Sequence, residues 1–179
     1  MKEKFAPTIV LGVLCLVAAL LLAAVNGVTA PLIEQINIDN ANKARAEVMP
    51  EATSFTAVDC ELLDGVTEVY KSDNETGYVI TSAAKGFGGN ITVMTAIAPD
   101  GTIEAIKVTD ASNETPGLGS KTTTPEHAAK YAGLSTISMD DKTAPDYVAP
   151  VTGASYSSKG VFNAVSAALA QYKELGGAQ

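Results

Sequence analysis

From Phe5 to Ile33 the sequence carries no charged residue, and Thr8 to Val25 is an almost unbroken aliphatic run. About 20 such residues wound as a helix match the hydrocarbon thickness of a bilayer. Inside lipid the backbone must satisfy its own hydrogen bonds, so a single helix is the only form open to this stretch. A transmembrane anchor is therefore predicted over residues 1–30, and whatever folds as a globule must come after it. A cleavable signal peptide is the rival, since Lys2 and Lys4 give a basic start and Val28-Thr29-Ala30 is a run of small residues. The apolar run is longer than the roughly 7 to 15 residues of a signal core, and Pro31 would directly follow the cut. Leu14 stands where a lipid-modified Cys15 would need a small residue.

Lys2 and Lys4 flank a very short tail, which the positive-inside tendency keeps in the cytoplasm. The remainder is then expected outside, in a cell membrane protein with a single pass. The chain has 179 residues, 46% of them hydrophobic, enough for one domain with a core in addition to the anchor. Its formal net charge of −8, from 12 basic and 20 acidic residues, argues against a nucleic-acid partner. Cys15 and Cys60 have neither Cys-x-x-Cys nor metal-ligand spacing and are read as thiols without chemistry. No metal site is expected.

Beyond the anchor, Leu32, Ile33, Ile36, Ala41, Ala44 and Val48 recur at roughly helical spacing up to Pro50, giving a helical stalk or connector over 31–54. From Phe55 the pattern changes to short alternating runs: Val66 to Lys71, Gly77 to Ala84, Ile91 to Ala98, and Thr102 to Thr109 after the turn Pro99-Asp100-Gly101. An antiparallel meander follows, with one face covered by later helices. Thr124-Pro125 opens a helix expected to run up to Gly133, with Thr124 at its N-cap. The only histidine, His127, lies on it and is read as a surface or capping residue.

Three loops stand out by their small residues: Lys85-Gly86-Phe87-Gly88-Gly89-Asn90, Asn113-Glu114-Thr115-Pro116-Gly117-Leu118-Gly119, and Thr152-Gly153-Ala154-Ser155-Tyr156-Ser157-Ser158. Pro116-Gly117 suits a type II turn. The third loop precedes Val161, Val165, Ala168, Leu169 and Tyr172, which have the spacing of an amphipathic helix. Hydroxyl side chains at a helix start cap free N–H groups, and the same N–H groups suit a phosphate. On the residues alone, an ordinary cap and a phosphate-bearing cofactor site are both open.

In their order and separation, together with the single anchor, these three loops resemble the FMN-binding domain family, and within it the G subunits of Rnf electron-transport complexes. The resemblance spans nearly the whole chain. It implies an α+β fold: an N-terminal transmembrane helix, then one extracytoplasmic FMN-binding domain over 55–179 with an antiparallel sheet packed by helices. It also implies covalent FMN, joined through its phosphate by a flavin transferase to a hydroxyl placed by the motif at Ser157, with Ser155 and Ser158 as fallback acceptors. Serine replaces the family's usual threonine there, and Ala149 stands where an acidic residue is usual. By the same matching, Thr152, Gly153, Ala154 and Ser155 would hold the phosphate end, and Glu114, Thr115, Gly117, Leu118 and Gly119 would lie along the isoalloxazine.

The function so implied is electron relay within a membrane-bound, ion-pumping ferredoxin:NAD oxidoreductase. The implied partners are the other membrane subunits, notably a flavin-bearing integral membrane subunit. The flavin carries the electrons, so no catalytic acid, base or nucleophile is assigned. The C subunit of a sodium-translocating NADH:quinone reductase, which has a similar domain, is the alternative within the flavin class. From another class, the loops would be mere turns and caps of an anchored binding module. A hydrolase lacks both a nucleophile elbow and partners for His127.

Overall fold

A computed structural model describes the backbone of residues 2–176, and the side chains from Ile9 onward apart from Glu34. Lys2 and Lys4, the orientation signal, lie outside the described side chains, and 177–179 lie outside the described residues. The chain divides into two compact units, Met1–Asn42 and Lys43–Gln179.

The first unit is helical. Helix α1 runs from Lys2 to Val48 and continues through Pro31. Among the described residues it is the one helix long and apolar enough to cross a membrane, by length and composition. Its aliphatic side chains, Leu11, Leu14 and Leu21 among them, are exposed, as a lipid-facing helix requires.

The second unit holds a five-stranded antiparallel meander in the order β1-β2-β3-β4-β5. The strands are β1 (Phe55–Ala57), β2 (Val66–Ser72), β3 (Tyr78–Lys85), β4 (Asn90–Ile97) and β5 (Ile103–Asp110). The alternation read from the sequence places all but the short first strand to within a residue or so. Gly101 N–H donates to the Ala98 carbonyl at 2.9 Å, closing the turn between β4 and β5. A short helix α2 (Pro125–Ala128) precedes the last helix, α3 (Ser155–Glu174), which lies on one face of this sheet. Val161, Val165, Ala168, Leu169 and Tyr172 are all buried and join Ile80, Ile91, Val93 and Ile97 in one core. Ser82 Oγ, on that face, donates to the Ala164 carbonyl of α3 at 2.7 Å.

The opposite face is also covered. Strand register puts Glu68, Tyr70, Val79, Thr81, Met94, Ala96 and Lys107 there. Buried Arg45, in the last turn of α1, pairs with Glu68 at 3.0 Å and lies 3.6 Å above the Tyr70 ring. Glu47 pairs with Lys107, and Ala44, Val48 and Met49 are buried beside them. These residues, all in the second unit, give the sheet its second cover.

The segment after Thr124 departs from the expected helix. Helix α2 is only Pro125–Ala128, and Thr124 Oγ1 donates back to the Lys121 carbonyl at 2.9 Å instead of capping forward. Residues 129–132 go on as turns to Gly133, which adopts φ 80° and donates to Ile103 O at 2.7 Å. Tying Gly133 to the start of β5 requires the chain to leave the helix. His127 is correspondingly not on the surface: it is 2% exposed, with Tyr131 edge-on at 5.6 Å. Burial pushes its pKa down to about 4, with Lys130 adding to the effect.

Candidate functional site

Two turns of the same design face each other at the start of α3. In the first, Leu118 N–H donates to Thr115 O at 3.2 Å, with Gly117 at φ 74° in the third position of the turn. In the second, Ala154 N–H donates to Val151 O at 2.9 Å, with Gly153 at φ 82°. A positive φ at that position selects glycine. The turns are in contact: a Cβ added to Gly153 would lie 3.0 Å from Leu118 Cδ1. Between them is a cavity of about 130 Å³ lined by Phe87, Thr115, Leu118, Gly119 and residues 153–157. The third glycine-rich loop contributes Phe87, so all three loops singled out by composition meet at one place.

The start of α3 is bare. Its N-cap, Ala154, has no side chain able to cap, and no side-chain cap is present. The first intrahelical bond is Ser158 N–H to Ala154 O at 2.9 Å. The N–H groups of Ser155, Tyr156 and Ser157 precede it, at the positive end of the helix dipole. The ordinary hydroxyl cap, one of the two readings of the sequence, is therefore not what these serines provide.

Each serine is held differently. Ser155, the first residue of α3, is exposed at the edge of the cavity. Ser158 is buried, and its Oγ accepts a hydrogen bond from Val151 N–H at 2.9 Å. Ser157 lines the cavity but is only 2% exposed, and its Oγ donates a short hydrogen bond to Glu114 Oε2. Its inward direction follows from helical spacing: Ser157, Val161, Val165 and Ala168 share one face of α3, and the last three are core.

Glu114, expected along a ligand ring, is 4% exposed and does not line the cavity. Its Oε1 accepts from Gly88 N–H at 3.0 Å while Oε2 takes the Ser157 hydroxyl, so one carboxylate ties the three loops together. Gly119 is small because of it: an added Cβ would lie 2.7 Å from Glu114 Oε2 and 2.9 Å from Ser157 Oγ. Thr115, Leu118, Gly119, Gly153, Ala154 and Ser155 line the cavity together with Ser157. Gly117 does not, and Thr152 lines a separate cleft with Lys121 and Lys130.

Sequence reasoning passes over two aromatic residues. Phe87 and Tyr156 are 69% and 72% exposed, with ring centroids 6.3 Å apart at 52°. Both sit inside the small-residue loops, but a lone aromatic residue there carries no periodicity to show which way it faces. No group of histidine, cysteine and carboxylate side chains able to hold a metal occurs among the described residues.

Residues 86–170 match the family described as the FMN-binding domain. Over 195 residues the chain is 33% identical to the G subunit of the Na(+)-translocating ferredoxin:NAD(+) oxidoreductase complex of Acetobacterium woodii, with 97% of this chain and 94% of that protein covered. It is 28% identical to the G subunit of the proton-translocating ferredoxin:NAD(+) oxidoreductase complex of Clostridium ljungdahlii, covering 93% and 90%. With the G subunit of the ion-translocating oxidoreductase complex of Methanosarcina acetivorans it shares 30% identity, covering 94% of both. Among solved structures, the C subunit of the Na(+)-translocating NADH-quinone reductase of Parabacteroides distasonis matches with a TM-score of 0.46 and 23% identity, over 57% of this chain and 59% of that one.

Proposed function

The chain belongs to the family of G subunits of ion-translocating oxidoreductase complexes, and from that premise we propose that it carries FMN covalently on Ser157. It is an electron-transfer flavoprotein subunit of such a complex. The finer reading is ferredoxin:NAD oxidoreduction, with the neighbouring membrane subunits as electron donor and acceptor.

The observation that carries the choice of residue is the place of the Ser157 hydroxyl. It lies at the cavity, where all three small-residue loops converge, and a carboxylate fixes it there. A phosphoester at this oxygen keeps the phosphate between the loops. The Ser158 hydroxyl is already held by Val151 N–H, and Ser155 stands at the outer edge. Because Ser157 is nearly inaccessible in the folded chain, the transferase takes it while the first turn of α3 is open. The Ser157 Oγ–P bond forms as the phosphoanhydride bond of an activated flavin breaks; the other phosphate departs and the hydroxyl proton is lost to solvent.

The cavity fits the phosphate end of FMN. Gly153 and Ala154 keep its wall low, and uncapped N–H groups at the start of α3 offer donors to an anion. Its volume of about 130 Å³ is below the roughly 300 Å³ at which pockets for whole small-molecule ligands begin. The ring is therefore assigned to the rim, where Phe87, Tyr156 and Leu118 stand exposed. When bound, FMN supplies the electron-carrying chemistry; the residues of the chain position it.

The proposed arrangement has the apolar part of α1 in the membrane, the amino terminus in the cytoplasm and the FMN-binding unit outside. Mass analysis of the peptide containing residues 152–159, after co-production with a flavin transferase, tests the covalent site. One added FMN is expected, and an unmodified peptide would overturn the reading.

A further inference from the structure

The wall behind the cavity carries a carboxylate, and the lining provides no positive charge. Glu114 is buried and forms no ion pair among the described residues; its oxygens are held by Ser157 Oγ and Gly88 N–H alone. None of the lining residues is lysine, arginine or histidine. Lys121 and Lys130 line the separate cleft beside Thr152, and Lys130 Nζ donates to Ala149 O at 2.9 Å. Ser157 is the third residue of α3, so the carboxylate sits against the first turn, at the end of the helix that favours an anion.

Attachment of a phosphate to Ser157 breaks this arrangement. The ester oxygen has no proton to donate, so Glu114 Oε2 loses its buried partner. The phosphodiester brings one negative charge to the position beside that carboxylate, and like charges close together in a poorly solvated site repel strongly. Both would also compete for the same helix end. Resting on the reading that Ser157 is the acceptor, we propose that Glu114 is a positioning residue that acts as a latch. Before modification it holds the Ser157 hydroxyl and closes the three loops over the start of α3. Flavin attachment releases it, and the carboxylate leaves the first turn of α3 to the phosphodiester. The latch thus stabilises the unmodified chain and opposes the modified one.

The test compares full-length chains in detergent, produced with and without a flavin transferase, as wild type and as Glu114→Gln. The glutamine keeps the shape, an acceptor for one partner and no charge. Without flavin, Glu114→Gln is expected to melt at or below the wild-type temperature. With flavin attached, it is expected to melt higher than the modified wild type by about 5 °C, the size of a tenfold like-charge interaction in a domain of this size. The effect of the substitution therefore changes sign on attachment. A merely structural role would lower both melting temperatures alike, and that result would overturn the proposal. So would a Glu114→Gln chain that accepts no flavin, since the carboxylate would then be needed for attachment and not opposed to it. An unmodified wild-type Ser157 would instead contradict the covalent reading itself, before any comparison of variants.

Discussion

At the scale of single residues, the site depends on hydroxyls two positions apart with different surroundings. Ser157→Ala is expected to abolish covalent flavin and to cost about 1–3 kcal/mol, since buried Glu114 loses a donor. Ser155→Ala is expected to keep the attached flavin with little effect on stability, because the side chain is exposed. Chemical denaturation read beside in-gel flavin fluorescence separates the two; loss of flavin only in the Ser155 variant would reverse the assignment. His127 gives a pH signature. Its folded-state pKa lies at about 4, below the ordinary 6.5. Between those values the unfolded chain binds more protons, so the contribution is fully present above about 6.5 and declines as pH falls towards 4. The difference in melting temperature between wild type and His127→Gln should therefore shrink on acidification through that window; a pH-independent difference would contradict it.

At the scale of elements, α3 serves both core and site, and its closeness to the glycine-rich loop joins the two. A Cβ on Gly160 would lie 3.0 Å from Gly86 Cα, a backbone atom unable to step aside cheaply. Gly160→Ala is expected to destabilise the domain by about 1–3 kcal/mol, despite alanine's higher helix propensity. Urea midpoints read this, and a stabilised variant would show that the loop yields. The elements are the most legible part of the sequence. The alternation of β2 to β5 and the spacing from Val161 to Tyr172 express repeating burial, which is what periodicity reports. The helix expected up to Gly133 stops short because its end is set by hydrogen bonding to Ile103, a contact between segments distant in sequence. Glu114 is legible as a member of a motif but not as a buried tie, because its partners Gly88 and Ser157 lie far away along the chain.

For the molecule as a whole, the sheet needs covers from segments on both sides of it in sequence, α3 on one face and residues 44–49 on the other. Within the stalk read over 31–54, Ala44 and Val48 lie on the apolar spacing and are buried, whereas Arg45 looks like a solvent residue and is buried as well. A fragment starting at Lys43 is expected to fold and melt cooperatively, whereas one starting at Phe55 loses Arg45, Val48 and Met49 and should melt lower or aggregate. Calorimetry on the two fragments decides this, and equal melting temperatures would place the cover outside the folding unit. Covalent FMN on Ser157 is decided by fragment-ion mass spectrometry of the 152–159 peptide from full-length protein made with a flavin transferase. One FMN on Ser157, with Ser155 and Ser158 unmodified, is the expected result. An unmodified peptide, or FMN on Ser155, would contradict the claim.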